Sequence, residues 1–391
     1  MGVADLERLL QRRFDGYVDA LREIVSIDSG SFSPAGVNLV ADFCERRFED
    51  LGWQVERIRP EPTEDGGQLG DLVIGRSPGN GGARILIIGH TDTVFDEGTA
   101  AERPFTVVGD VAHGPGVSDM KSGLLNGFFA LEALKDLGLS IGEVTYVCNP
   151  DEEIGSPFSG PRIKELAGAA DVALVLESGR SDGSVVSQRK GVIDFTIDIE
   201  GVAAHAGVEP ELGRSALVEA AHLTLALTEL NGRWPGVTVN VGTLTSGTRS
   251  NVVAERAHMV VDVRSPEGET LDAVYVEIGR ICASPVTPDV SLKAVGRHWH
   301  RPMEKSEASQ RLVDMAREIA AEIGWDLVDS ATGGASDACT TSAAGVPTLD
   351  GLGPIGGGDH SPIERVDLTS VVPRATLLAG IVARVSEGGG L

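Results

Sequence analysis

The sequence predicts an α/β domain, a mixed sheet between helices, with a smaller ferredoxin-like α+β domain inserted into it. Three observations predict this. A chain of 391 residues is long for one core and suggests two domains. Between residues 84 and 177, short continuous apolar runs alternate with helical stretches, as in a sheet with helices on both faces. After Gly191 the runs switch to period-2 alternation, and the first pattern resumes only at about 306, so the middle segment has half-exposed strands of its own.

Taken in order, residues 6–26 read as an amphipathic helix and 37–52 as a second, stopped at Gly52. "RILIIG" (84–89) is a buried strand, and "MKSGLLNGFFALEALKDLG" (120–138) a helix ended by Gly138. "EVTYVC" (143–148) and "DVALVLE" (171–177) are strands, with the helix "SGPRIKELAG" (159–168) between them. The middle segment gives a strand at 192–201, a helix at 212–231, strands at 236–247 and 251–265, a helix at 271–284 and a strand at 290–299. That order, β-α-β-β-α-β, is the split βαβ unit. The expected boundaries are 191–301 for the insert and 1–190 plus 302–391 for the larger domain. No internal repeat or low-complexity linker is present.

Composition excludes several classes. Apolar content of 41% and charged content of 23% are ordinary for a globular protein. The 50 glycines imply many tight turns. No apolar run approaches the roughly 20 residues that span a bilayer. The N-terminus is charged and helical in period, unlike a signal peptide, and Leu6 breaks the N-myristoylation pattern. Cys44, Cys148, Cys282 and Cys339 are far apart with no CxxC, so four mostly buried reduced thiols are expected, in the cytoplasm. A net charge of 33 − 58 = −25 argues against nucleic acid or an anionic membrane as partner. An anionic substrate would need a local basic pocket.

The chemistry gathers where buried strands end. After "RILIIG" come His90, Thr91 and Asp92; just before the helix at 120 sits Asp119; after "VTYVC" come Asp151, Glu152 and Glu153; after "DVALVL" comes Glu177; and a glycine-rich loop near the C-terminus carries His360. Strand carboxyl ends line the ligand crevice of an open α/β sheet, so five separated segments deliver His, Asp, Glu, Glu and His to one edge. This mixture suits zinc, with cobalt or manganese as alternatives, whereas calcium prefers oxygen throughout. Two metals sharing a carboxylate give a dinuclear hydrolase, in which an acidified water attacks a carbonyl. Asp92, two residues after His90, is placed to hold the second imidazole nitrogen; the plainer reading is a turn residue. Asp151 has no derivable role beyond support of its loop.

Other features carry less. His113, His222, His258, His298 and His300 read as surface or packing residues, although His298 and His300 flank Trp299 near Arg301 and could contact substrate. The glycines at 356–358 lack the strand and lysine of a phosphate loop and instead let the chain turn to present His360. Ser336 and Ser361 lack the GxSxG elbow of a serine hydrolase.

"GHTDTV", "GPGVSDMKSG", "NPDEEIGS", "LESG", "GVAAHAG" and "GGGDHSP", in that order, resemble the zinc exopeptidase family of glutamate carboxypeptidases, acetylornithine deacetylase, succinyl-diaminopimelate desuccinylase, aminoacylase and several di- and tripeptidases. "AAHAGVEPELGRSALVEAA" and "TGGASDA" look closest to the glutamate carboxypeptidase branch. The resemblance implies two divalent metals. Asp119 would bridge them, His90 and Glu177 would complete one site, and Glu153 and His360 the other. Glu152 would be the general base, left free because a ligand carboxylate has its lone pairs committed. The insert would be a lid that also carries a homodimer interface. In it His205 would help polarise the scissile carbonyl, often in the partner's active site, with Asn251 in a related role. Arg301 would grip the substrate carboxylate with two parallel hydrogen bonds. Arg264 is a weaker candidate for that role. The backbone of 332–336, Gly334 included, would line the pocket, though Ala335 stands where a close relative would have another glycine. The implied reaction is release of a C-terminal amino acid, glutamate being one candidate, from a small peptide or N-acyl conjugate. Two alternatives stand beside it: an N-acyl amino acid deacylase of the acetylornithine deacetylase type, and a metal-binding homologue without catalysis.

Overall fold

The structure, a computed structural model, describes residues 2–62, 67–79, 82–388 and 390; the side chains of His298 and Trp299 lie outside the described set. The chain divides into two compact units, one of Met1–Gln188, Lys305–Ala331 and Ser336–Leu391, the other of Arg189–Glu304 and Thr332–Ala335.

In the first unit six strands lie in the order Gln54–Ile58, Leu72–Arg76, Glu143–Asn149, Arg84–His90, Val172–Val175 and Thr348–Leu349. The last four pair in parallel, and the two remaining pairings are antiparallel, so the sheet is mixed. Its central strands read as unbroken apolar runs because both faces are buried. Ile85 and Ile87 join Val144, Tyr146, Val172 and Leu174 in one core, together with helices Val3–Val25, Pro34–Leu51, Ser122–Asp136, Glu307–Glu322 and Val371–Gly388. Leu86 and Ile88 alternate to the opposite face and are equally buried. Helices Gly160–Ala169 and Asp337–Ala343 pack on the sheet there. Residues Leu368–Gly388 are long and apolar enough to cross a membrane by composition, but 78% of their most apolar 18-residue window is buried inside the protein, where the apolar side chains are already used.

A second, small antiparallel sheet orders Gly356–Gly357, Arg365–Asp367, Val111–His113 and Thr106–Val108. Strands of two or three residues carry no readable periodicity, which is why the sequence did not announce this sheet. It matters because its first hairpin spans His360.

The second unit is the expected ferredoxin-like fold. Its four antiparallel strands are ordered Thr238–Ser246, Arg256–Ser265, Gly191–Glu200, Ser291–His300. Helices Ala216–Thr228 and Gly268–Cys282 cover the face carrying Ile193, Phe195, Ile197, Ile199, Met259, Val261 and Val263. Ser215 caps the first helix by accepting from Val218 N. One expected strand starts late: residues 251–255 leave the sheet because Val252 bridges His205 and Val253 N donates to Ala204 O. The strip Thr332–Ala335 joins this unit through Lys190 N to Thr332 O (3.2 Å), Arg264 Nη1 to Gly333 O (2.8 Å) and Arg189 Nη1 to Gly334 O (3.1 Å).

Candidate metal centre

Strand register brings the acidic and imidazole side chains to one edge. His90, the last residue of its strand, stands opposite Asn149, the last residue of the next, and Ile88 stands opposite Val175 on the other side. Glu152 and Glu153 therefore follow one neighbouring strand end and Glu177 the other. Asp119 reaches the edge from the short segment Val117–Lys121, where its backbone leaves the helical region (φ −112°, ψ 97°) and the Asp119–Met120 peptide is cis. The fit at Glu177 is close: a Cβ on Gly123 would lie 1.9 Å from Leu176 O. Only glycine lets the helix Ser122–Asp136 pack so near that strand end.

Two sets of ligand atoms converge on Asp119. In one, His90 Nε2 lies 3.0 Å from Asp119 Oδ1 and 3.8 Å from Glu177 Oε1. In the other, His360 Nε2 lies 3.1 Å from Asp119 Oδ2 and 3.2 Å from Glu153 Oε2. Each set draws together within 4.8 Å, and Asp119 belongs to both. His90 Nδ1 faces the carbonyl oxygen of Asp92 at 2.9 Å and its carboxylate at 3.3 Å. Two oxygens there require the proton on Nδ1, which leaves the Nε2 lone pair for a cation.

The donor set fits divalent cations on two further grounds. Glu153 Oε1 is buried without a hydrogen-bond partner, a costly state that a cation would relieve. The carboxyls also crowd one another: burial, helped by Glu177, Asp337 and Glu153, pushes Glu152 well above the usual range. Burial likewise raises Glu153, with Asp119 adding to it. Asp119 is instead held well below the usual range, because His360 and His90 hydrogen bonds outweigh its burial. The imidazoles answer in kind. Hydrogen bonds to Asp119 and Glu153 raise His360 to about 10, and for His90 the bonds to Asp119 and Asp92 overcome burial and lift it well above the ordinary imidazole value.

Asp92 does more than hold an imidazole. Its carboxylate also accepts from Glu152 N (3.2 Å), Glu153 N (3.1 Å) and Ser31 Oγ (2.7 Å), so one buried group orients His90 and fixes the loop of both glutamates. Asp151 proves to be the loop's staple, accepting from Phe158 N (2.7 Å) and Ser159 N (3.3 Å). Burial raises its carboxyl to about 6. The sequence reading missed Asp337, which accepts from Asn149 Nδ2 (2.5 Å) and Ser156 Oγ (2.7 Å), and Glu364, which accepts three backbone N–H groups leading into Asp119. Neither follows an apolar run. The glycines before His360 have a second purpose besides turning: a Cβ on Gly356 would lie 2.0 Å from Ser118 Oγ.

The remaining candidates lie in the second unit. His205 and Asn251 are exposed neighbours, joined by Ala206 N to Asn251 O (3.0 Å). His205 Nδ1 accepts from Gly207 N at 3.2 Å. Both arginines are engaged internally. Arg301 forms a two-pronged pair with Asp272 (2.5 and 3.1 Å), and Arg264 reaches Asp262 and Gly333 O. A substrate carboxylate at either would have to displace or share these partners. Gly334 presents its carbonyl to Arg189. Of the histidines set aside, His258 pairs with Asp198 at 2.8 Å. Burial, with Arg189 nearby, depresses His300 to about 4, so it is neutral at physiological pH.

The model of peptidase family M20/M25/M40 matches residues 86–384. Carboxypeptidase G2 of Pseudomonas sp. (strain RS-16) is 31% identical over 375 residues, which is 95% of this chain and 89% of that protein. Among solved structures, a tripeptidase from Staphylococcus aureus superposes with a TM-score of 0.81 at 20% identity, covering 96% of this chain and 99% of that one. The aminopeptidase PepT of Bacillus cereus gives 0.79 at 22% identity, covering 95% and 98%. At these identities the structures establish a shared fold.

Proposed function

The chain belongs to peptidase family M20/M25/M40 and is a metal-dependent hydrolase; from that premise we propose that it is a dinuclear zinc enzyme releasing a C-terminal amino acid, glutamate among the candidates, from a small peptide or N-acyl conjugate. The observation that carries this reading is the sharing of Asp119 between two donor sets, with Glu152 beside them and in neither. When bound, the cations would acidify a water and polarise the scissile carbonyl. His90, Asp119 and Glu177 would hold one, and Asp119, Glu153 and His360 the other. Glu152 takes a proton from the attacking water and returns it to the leaving amine. Asp92 keeps that carboxylate's backbone fixed. By the family resemblance, His205 would help polarise the scissile carbonyl, often in the partner's active site, with Asn251 in a related role; Arg301 would grip the free carboxylate, with Arg264 the weaker candidate, and Gly334 would line the pocket. The second unit would serve as lid and homodimer interface, a reading that mass in solution tests directly. Four buried cysteines, none of them in a disulfide among the described residues, are in keeping with the cytoplasm.

A C-terminal leaving group is supported by the relative at 31% identity, which is a carboxypeptidase. The test is a panel of N-acyl and peptidyl amino acids, with and without C-terminal glutamate, assayed before and after chelation. Full activity without metal would sink the proposal. Hydrolysis confined to short N-acyl groups would favour the deacylase alternative.

Two further results are expected. Below pH of about 10 the metal-free His360 carries a proton, which a cation must displace. Metal binding at neutral pH therefore releases protons, and affinity falls as pH falls, by about tenfold per unit for each proton displaced. Calorimetry in buffers of different ionisation enthalpy reads this, and no buffer dependence would contradict it. Secondly, Arg301→Ala raises KM for carboxylate-bearing substrates by about 10–100-fold, the worth of a charge-assisted pair. Because Asp272 competes for the same guanidinium, Asp272→Asn lowers KM. Unchanged KM in both variants removes Arg301 from the site.

A further inference from the structure

We propose that Glu364 is a positioning residue that ties the shared carboxylate Asp119 to the hairpin carrying His360, and so governs the second donor set more than the first. This rests on the dinuclear reading above. Glu364 is 2% exposed. Its Oε2 accepts from Gly116 N (2.9 Å), and its Oε1 from Ser118 N (2.8 Å) and Asp119 N (3.0 Å). These N–H groups open a segment whose own backbone bonds start only at Lys121 N to Gly116 O and Ser122 N to Val117 O, so a side chain satisfies them. A carboxylate does this well, because each bond to it is charge-assisted.

The hairpin is what makes the contact consequential. His360 sits at its tip in a left-handed conformation (φ 59°) with its side chain 53% exposed. Glu364 lies four residues on, directly before the strand Arg365–Asp367, which pairs on one side with Gly356–Gly357 and on the other with Val111–His113. The hairpin thus touches Asp119 twice, at its backbone N–H through Glu364 and at its carboxylate through His360 Nε2. The side chain that makes the first contact is buried, and the one that makes the second is half exposed. His90, by contrast, is locked from behind by Asp92, and Glu177 lies two residues beyond the sheet strand Val172–Val175. Loss of Glu364 frees the Asp119 segment from the hairpin. The set Asp119, Glu153 and His360 then loses its alignment, while His90 and Glu177 stay in place.

The experiment is metal titration of the chelated full chain with Zn²⁺, followed by calorimetry, and with Co²⁺, followed by its absorption. Glu364→Ala and Glu364→Gln are compared with the unaltered chain. The control is Glu219→Ala, which removes another buried carboxylate that accepts two backbone N–H groups, from Val286 and Thr287, in the second unit. The expected result is that one of two metal equivalents loses about 10–100-fold in affinity in both Glu364 variants, the range for residues that orient ligands. The other equivalent changes much less, and Glu219→Ala lowers Tm without moving either. Two equivalents that bind unchanged in the Glu364 variants, or that weaken equally there and in the control, would overturn the assignment alone. An unaltered chain that takes up a single equivalent would overturn the dinuclear reading along with it.

Discussion

Glu152→Gln lowers kcat by at least about 10²–10⁴-fold, the span assigned to a general base, while two metal equivalents remain bound. The substitution keeps the shape of the side chain and removes only its capacity to accept a proton. The backbone bond from residue 152 to Asp92 is indifferent to the change, so the loop and Glu153 keep their places. Turnover requires Glu152 ionised, and burial together with Glu177, Asp337 and Glu153 pushes its proton affinity up. The rate of the unaltered enzyme therefore falls as pH drops through the Glu152 pKa, and bound dications shift that limb to lower pH by offsetting the same carboxylates. In Glu152→Gln the limb disappears along with the rate. Metal content and kcat are read on the same preparation. A variant that keeps full turnover would mean that another group is the base, whereas one that loses metal as well would make Glu152 a ligand.

The segments of the donor set were legible because each lies close to a patterned segment, while the choice of Glu153 within its acidic run came from the family resemblance. His90, Glu153 and Glu177 lie at the ends of buried runs, Asp119 stands before an apolar helix, and His360 stands in a glycine cluster. A strand buried on both faces advertises its end, and in an α/β sheet the end is where ligands go. The supports were not legible for the converse reason. Glu364 and Asp337 act on backbone and side-chain groups far away in sequence, 245 residues for Glu364 to Asp119 N and 188 for Asp337 to Asn149. A lone acid in "SPIERV" or "ASDAC" gives no sign of what it accepts. Asp151 was visible as part of an acidic run, but its role depends on Phe158 and Ser159 folding back onto it. Arg301 shows the opposite limit. Its residue type suits a carboxylate, yet the carboxylate it holds in the structure is Asp272, and only the fold could reveal that competitor.

Asp119→Asn abolishes turnover by more than the general-base factor of about 10²–10⁴, because it removes what the two donor sets share. Asp119 offers Oδ1 toward His90 and Oδ2 toward His360. The amide keeps one oxygen and replaces the other with an NH₂ group that cannot ligate a cation. At most one set can survive, so tight metal uptake falls from two equivalents to one. His360→Ala should also drop one equivalent, but it leaves His90, Asp119 and Glu177 complete, so its surviving site binds more tightly than that of Asp119→Asn. The metal-free protein responds too. Hydrogen bonds to Asp119 and then Glu153 are what lift His360 to about 10, so neutralising Asp119 brings it down and fewer protons leave when metal binds. Metal content, proton release and turnover should therefore fall together in Asp119→Asn. In Glu152→Gln only turnover falls. Two tight equivalents in Asp119→Asn would mean that the sets are held independently, and the bridging role would be lost.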